Sequence, residues 1–165
     1  MKSKLKHYTK ELLLFLFIMT IFANIISLYK SSDLNKNALQ LDQLTLINNK
    51  IYSFNHDKPV LIHFWATWCP TCKVEAANID FLSKYYDVVT FAVNSGSKTE
   101  VIEYLLENNY SFNVVNDANS SYSKEFEIAA FPTTFIYNKN RELVFSEVGY
   151  TSTIGLFFRM WWASL

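Results

Sequence analysis

Residues 60–73 read VLIHFWATWCPTCK, a largely apolar run that leads into a Cys-x-x-Cys pair. A continuous apolar run of this length is typical of a strand that is buried on both faces of a sheet. Beyond the pair, apolar residues recur at helical spacing, at Ala76, Ile79, Leu82 and Tyr86. We therefore expect a helix that begins at Cys69 and ends near Tyr86, directly after a buried strand.

The two cysteines of this pair are the only cysteines of the chain, which leaves no second pair for a structural zinc site. The positive end of a helix dipole stabilises a thiolate, so Cys69 is the predicted nucleophile. Pro70 suits the first helical position, because its φ is fixed and its missing N–H is not needed there. Cys72 follows one turn later as the predicted resolving thiol. The sequence thus predicts one redox-active dithiol that works without a cofactor or a metal.

The composition limits the number of domains and the classes of partner. The chain has 165 residues, of which half are hydrophobic, and this is enough for one domain with a proper core. Fifteen Lys and Arg residues balance fifteen Asp and Glu residues. Without a basic surface field, a nucleic-acid partner is not expected. We expect a monomer.

Residues 12–29 form an uncharged, mostly apolar stretch that is just long enough to cross a bilayer as a helix. Four lysines precede it, at positions 2, 4, 6 and 10, and positive charge before the first apolar run holds that end in the cytoplasm. We therefore expect an uncleaved anchor at residues 1–30, a tether at 31–40 and an exported domain at 41–165. A cleaved signal peptide is the alternative. A lipoprotein is excluded, because no cysteine lies near the end of the apolar stretch.

The remaining elements are predicted from shorter patterns. Residues 44–47 and 51–54 suit a β-hairpin around the turn at 48–50. Strands alternating with helices then predict a parallel sheet, and the chain ends in a second hairpin and a helix. The expected strands are 88–93, 112–115, 133–137 and 143–148, and the expected helices surround 101–106 and cover 119–127 and 153–163.

The segments FWATWCPTCKVE at 64–75 and FPTTF at 131–135 resemble the thioredoxin-fold proteins of the TlpA/ResA/DsbE type. The segments VVND at 114–117 and EVGYTS at 147–152 are similar to those of the ScsD-like membrane-anchored disulfide reductases within that family. The resemblance implies a thioredoxin fold, an α/β fold with three layers (α/β/α) and a central mixed sheet. Here the fold would carry an additional N-terminal β-hairpin and the N-terminal transmembrane helix.

The resemblance also implies roles for individual residues. Pro132 would be a cis-proline that faces the dithiol, with its neighbouring backbone pairing with a substrate strand. Phe131 is bulkier than the residues common at that position. Glu75 matches an acidic position that assists proton transfer from the resolving thiol, although a solvated helix carboxylate is an equal alternative. The residues expected to support substrate binding are Trp68, Pro70, Thr71, Pro132 and Glu75.

By the same resemblance, the chain would be a protein disulfide reductase that acts on protein thiols and disulfides. Its oxidised dithiol would be reduced again by a transmembrane electron donor of the DsbD/CcdA type. Its location would be the bacterial inner (cytoplasmic) membrane, with the N-terminus in the cytoplasm and the catalytic domain on the periplasmic or extracytoplasmic side. A narrower role is the reduction of apocytochrome c thiols during cytochrome c maturation. A different class of function is a copper chaperone that uses both thiols with His56 or His63 nearby.

The sequence allows two interpretations of His63 and two of the last helix. His63 stands where many thioredoxins place a buried acid, so it is either a core histidine or a proton acceptor. In the last helix, Ile154, Phe157, Phe158 and Trp161 form one apolar stripe, while Leu156, Met160 and Trp162 lie elsewhere around it. This helix either packs on the sheet or also presents a second face to a bilayer or a membrane partner.

Overall fold

The computed structural model describes residues 7–15, 17–19, 21–22, 34, 37–55 and 57–165. From residue 43 onward, strands and helices alternate along the chain. They are β1 (Gln43–Thr45), β2 (Ile51–Ser53), β3 (Val60–Trp65), α1 (Pro70–Ser83), β4 (Asp87–Val93), α2 (Lys98–Glu107), β5 (Asn113–Asp117), α3 (Ser121–Glu125), β6 (Thr133–Tyr137), β7 (Leu143–Val148) and α4 (Thr153–Ala163).

The central sheet has the strand order β5-β4-β3-β6-β7. β3, β4 and β5 run parallel, and β6 and β7 are antiparallel to their neighbours. The continuous apolar run predicted as a two-sided strand is the middle strand β3, whose six residues are all buried. The predicted mixed α/β fold is therefore confirmed, with β1 and β2 as a separate antiparallel hairpin.

Two buried clusters lie on opposite faces of the sheet. One contains Leu61, Trp65 and both cysteines and is covered by α1, α2 and α4. The other contains Ile62 and Phe64 and is covered by the hairpin and the α3 region. This alternation along β3 follows from the two-residue period of a strand. The dithiol thus belongs to the layer that holds α1 and α4.

Two predicted helices are shorter than expected. α1 ends at Ser83 and not near Tyr86, because the next N–H groups turn back to the carbonyls of Phe81 and Leu82. The helix expected at 119–127 is confined to Ser121–Glu125, since Ser120 and Glu127 both adopt positive φ, at 56° and 55°. Left-handed backbone at both ends stops a right-handed helix from extending further.

The N-terminal segment is described only in part. Residues 7–15, 17–19 and 21–22 are helical, while residues 1–6, 16, 20 and 23–30 of the predicted anchor lie outside the described residues. In the part of the chain that the structure describes, no helix is both long and apolar enough to cross a membrane. The anchor stays a prediction. Two residues of the predicted tether, Leu34 and Leu39, are already buried in the core on the hairpin side of the sheet.

Candidate active site

The two cysteines lie at the N-terminus of α1, where they form a disulfide with a Cα–Cα distance of 5.3 Å. Cys69 is the N-cap residue, and Pro70 occupies the first turn. The Cys69 Sγ accepts a hydrogen bond from the backbone N–H of Cys72 at 3.1 Å. An N–H donor and the positive end of a helix dipole both favour a thiolate on Cys69 when the disulfide is reduced. The geometry thus fits Cys69 as the attacking sulfur.

An aromatic contact joins the dithiol to the loop that precedes β6. The ring of Trp68 meets the ring of Phe131 edge to face, with centroids 5.7 Å apart. Each of these residues directly precedes a predicted site residue, Cys69 in one case and Pro132 in the other. The Phe131–Pro132 peptide bond is cis, as the resemblance implies. The two segments that resemble the family therefore meet on one surface of the protein.

An open groove adjoins this contact. It has a volume of about 460 Å³ and runs between the end of β4 and the α3 region, with Phe131 as one wall. Trp68 is fixed beside it, because its indole N–H donates to the carbonyl oxygen of Asn94 at 3.0 Å. Asn94 and Lys124 add polar groups to the lining. A chain that docks on the dithiol would thus find an open groove with both apolar and polar lining residues next to it.

Glu75 is fully buried on α1, so the alternative of a solvated helix carboxylate is wrong. Its Oε1 accepts a hydrogen bond from the backbone N–H of Thr151 at 3.0 Å, while its Oε2 has no partner among the described residues. Burial raises the pKa of Glu75 to about 8, the Thr151 N–H opposes this, and the nearby charge of Glu147 adds to it. Glu75 lies three residues after Cys72, on the same side of the helix. It can therefore hold or release a proton near neutral pH.

His63 is buried in β3, on the sheet face that carries the dithiol layer. Its Nδ1 is 2.9 Å from the hydroxyl of Thr134, the residue opposite it on β6. Burial lowers the pKa of His63 to about 3, so the ring is neutral at physiological pH. These observations favour the core histidine over the proton acceptor.

The remaining site residues differ in exposure. Pro70 and Thr71 are exposed at the helix start, next to the exposed Trp68, and Pro132 is buried with its carbonyl bonded to the N–H of Gly149 at 2.8 Å. Their roles toward a substrate stay predictions. Sequence reasoning missed Thr151 and Asn94, which act through backbone atoms. No side-chain signal could have revealed them.

Comparisons with known proteins agree with this geometry. The Redoxin family matches residues 35–154. A thioredoxin-like protein of Haemophilus influenzae is 34% identical over 129 residues, which are 77% of this chain and 76% of that protein. The sporulation thiol-disulfide oxidoreductase A of Bacillus subtilis is 30% identical over 105 residues, which are 58% of this chain and 62% of that protein.

The solved structures show the same fold. The crystal structure of StoA from Bacillus subtilis superposes with a TM-score of 0.64 at 25% identity, covering 74% of this chain and 98% of that one. Relatives named ResA and DsbE also match, over about half of this chain and about half of their own lengths. The resemblance predicted from the cysteine motif is thereby confirmed. This chain belongs to the Redoxin family and is a thioredoxin-like thiol-disulfide oxidoreductase of the ResA, StoA and DsbE type.

Proposed function

We propose that this oxidoreductase is an exported, membrane-anchored protein disulfide reductase. The observation that carries the proposal is the contact between Trp68 and Phe131, which brings the Cys69 end of α1 beside the loop with the cis Phe131–Pro132 bond. A reactive sulfur at a helix start, flanked by an aromatic wall and an open groove, suits attack on a disulfide within a polypeptide. Reduction, and not oxidation, is the direction suggested by the family resemblance.

The reaction begins with the reduced dithiol. The Cys69 thiolate attacks one sulfur of the substrate disulfide, so that a mixed disulfide forms and the substrate S–S bond breaks. The other substrate sulfur leaves as a thiolate and takes up a proton. The Cys72 thiolate then attacks the Cys69 Sγ, which releases the second substrate thiol and closes the Cys69–Cys72 disulfide. Two electrons have passed to the substrate, which has also taken up two protons.

The backbone beside Pro132 is suited to hold the substrate. Among the described residues, the N–H and carbonyl of Phe131 make no hydrogen bond with another backbone group, whereas the Pro132 carbonyl is engaged by Gly149. A substrate strand can pair with a free backbone edge of this kind. The groove next to Phe131 would then receive a neighbouring side chain of the substrate.

Glu75 is the proton acceptor for Cys72 in this scheme. Cys72 must lose its thiol proton before it can attack the mixed disulfide. A buried carboxyl with a pKa raised to about 8 changes its protonation near the pH at which the reaction runs. Its unpaired Oε2 leaves an acceptor for the proton, while Thr151 holds the other oxygen in place.

The membrane part of the proposal rests on sequence. Residues 12–29 supply the apolar stretch and the four preceding lysines supply the orientation, which leaves the catalytic domain outside the bacterial cytoplasmic membrane. Each turnover leaves the dithiol oxidised, and the exported compartment is itself oxidising. A transmembrane donor of the DsbD/CcdA type would return the two electrons. The physiological substrates would be disulfides of exported proteins, with apocytochrome c as a narrower possibility.

Insulin reduction by the full chain tests the catalytic part of the proposal. With a dithiol as donor, we expect turnover for the wild type, none for Cys69→Ser, and a trapped mixed disulfide for Cys72→Ser. Turnover that survives Cys69→Ser would refute the mechanism. The direction of electron flow is read from the thiol state of the pair in rapidly acid-quenched cells, where a mostly oxidised pair would contradict a reductase.

The copper chaperone has no observation in its favour among the described residues. They contain no group of three or more His, Cys, Asp and Glu side chains that could hold a metal, and His56 lies outside them. The Nδ1 of His63 is already engaged by Thr134. Tight uptake of cuprous ion without insulin turnover would revive this alternative.

A further inference from the structure

The exposed side of α4 is apolar and carries no charge. Its buried stripe is Leu156, Met160 and Ala163, which differs from the stripe expected from the sequence. The opposite side leaves Trp161, Trp162 and Leu165 exposed, at 49%, 61% and 77%. The only charged residue within α4, Arg159, turns away to pair with Glu147 on β7 at 2.7 Å. The C-terminal part of α4 and Leu165, just beyond it, thus present two tryptophans and a leucine to solvent.

The end of α4 that carries Trp161 and Trp162 lies beside the turn between β6 and β7. Trp162 and Leu165 line a hollow together with Asn138, Lys139 and Asn140 of that turn. The N-terminal segment enters the domain at the same turn, where the N–H of Leu39 donates to the carbonyl of Arg141 at 3.0 Å. The end of α4 and the entry point of the chain therefore share one end of the domain.

The dithiol lies at the other end. Val60 at the start of β3 pairs with Tyr137, the residue that leads into the β6–β7 turn. β3 then runs away from this turn for six residues, roughly 20 Å, before the chain reaches Trp68 and Cys69. The reactive sulfur and the aromatic end of α4 are thus separated by about the length of the sheet.

We propose that the aromatic end of α4, formed by Trp161 and Trp162 together with Leu165 just beyond the helix, rests in the interface of the bilayer that residues 12–29 enter. This proposal rests on the membrane anchoring of the proposed function. Leu34 is already buried in the domain, so residues 30–33 alone link the anchor to it, and four residues span at most roughly 14 Å. A link this short holds the entry end of the domain close to the membrane.

The chemistry of the exposed side chains fits the same site. Tryptophan prefers the level of the lipid headgroups, where its apolar ring and its N–H are both satisfied. The side chains of Trp161, Trp162 and Leu165 are uncharged, so they can enter that region without losing the hydration of an ionised group. In this orientation the dithiol faces away from the bilayer, where soluble exported proteins can reach it.

Quenching of tryptophan fluorescence by brominated phospholipids tests the proposal on the full chain. The protein is reconstituted into phosphatidylethanolamine–phosphatidylglycerol vesicles, with bromine on the lipid chains near the headgroups. Trp161 and Trp162 are two of the four tryptophans, so we expect quenching of roughly half of the emission. The variant with Trp161→Ser and Trp162→Ser loses this quenching. Ile154→Ser is the matched control, because it removes a 71% exposed residue from the other end of α4 and leaves quenching unchanged.

The outcomes distinguish a failure of the membrane anchoring from a failure of the bilayer contact at the end of α4. A chain that fails to float with the vesicles overturns both. A chain that floats with its tryptophans unquenched overturns only the bilayer contact. If the tryptophans are unquenched and an amine cross-linker joins two chains through Lys139, a second copy covers this surface and the proposal is wrong. Insulin turnover by the double variant shows that it has folded.

Discussion

Glu75 on α1 and Thr151 in the loop before α4 are joined by a hydrogen bond of 3.0 Å, from the backbone N–H of Thr151 to the Oε1 of Glu75. Asn78, one turn further along α1, reinforces the link, since its side-chain amide donates to the carbonyl of Thr151 at 3.0 Å. The helix that carries the dithiol is therefore fastened to the loop before α4 through a buried carboxyl. The ionisation of Glu75 couples this junction to pH.

Glu75→Gln should remove a pH dependence of stability. The pKa of Glu75 is about 8 in the folded protein and near 4.5 when unfolded, so the folded state binds more protons between these values. The wild type therefore loses stability as pH rises from about 4.5 to 8. A shift of this size corresponds to a loss of up to roughly 5 kcal/mol. Urea unfolding of the oxidised protein at pH 5 and pH 8.5 measures this loss as the difference in pH dependence between the wild type and Glu75→Gln, because the acid destabilisation that comes from His63 is the same in both.

A matched control for this experiment is Glu107→Gln, which changes an exposed carboxylate on α2. It should keep the wild-type dependence. Identical pH slopes for Glu75→Gln and the wild type would show that Glu75 ionises normally in the folded protein. Glu75→Gln should also slow the release of the mixed disulfide, because Cys72 would lose its proton acceptor.

His63→Gln should change the pH dependence of stability at acidic pH. The pKa of His63 is about 3 in the folded protein and near 6.5 when unfolded, so its contribution to stability is complete above pH 6.5 and is lost as pH falls toward 3. Glutamine can still bond Thr134 but does not titrate. Urea unfolding at pH 4 and pH 7 should show a weaker acid destabilisation in the variant. The pH profile of insulin reduction should be unchanged, and a loss of activity near neutral pH would instead identify His63 as a base.

The sequence predicted the bounds of the strands better than it predicted which side of each helix is buried. β3 was predicted with its observed bounds, because a strand buried on both sides is apolar at every position and needs no choice of face. α4 is apolar on nearly all sides, so its pattern does not say which stripe packs inward. The sheet buries Leu156 and Met160 and leaves Phe158 exposed. Only the packing against α1 and β6 decides this.

In the site, too, the features that depend on local sequence could be predicted, and those that depend on tertiary contacts could not. The dithiol could be predicted from the local cysteine spacing, and the cis bond at Pro132 was expected from the family resemblance of the segment FPTTF at 131–135. The burial of Glu75 could not be predicted, since it depends on a loop 76 residues away that supplies the Thr151 N–H. The contact between Trp68 and Phe131 is likewise a tertiary contact. Such contacts decide the pKa values and the shape of the groove.

Asp117→Ala should destabilise the groove beside the dithiol. Asp117 is buried at the end of β5, and its Oδ2 accepts the backbone N–H of Ser123 at 2.8 Å while its Oδ1 accepts that of Tyr122 at 3.2 Å. The N-cap residue of α3, Ser120, makes no side-chain cap of its own. Alanine would leave buried donors unsatisfied and lower the free energy of unfolding by roughly 1–3 kcal/mol. Urea unfolding measures this loss. Asp117→Asn, which keeps one acceptor oxygen, should lose less, and an equal loss in both variants would contradict a capping role.

Phe131→Ala should weaken the binding of protein substrates without altering the reactivity of the dithiol. The variant removes the ring that packs against Trp68 and forms one wall of the groove. An edge-to-face aromatic pair contributes roughly 0.5–1.5 kcal/mol, so the KM for insulin should rise about two- to tenfold. The rate with a small disulfide such as oxidised glutathione should stay within experimental error, because it does not need the groove. Phe131→Tyr keeps the ring and serves as the control. An equal change for insulin and glutathione would mean that Phe131 acts on the sulfur chemistry and not on substrate recognition.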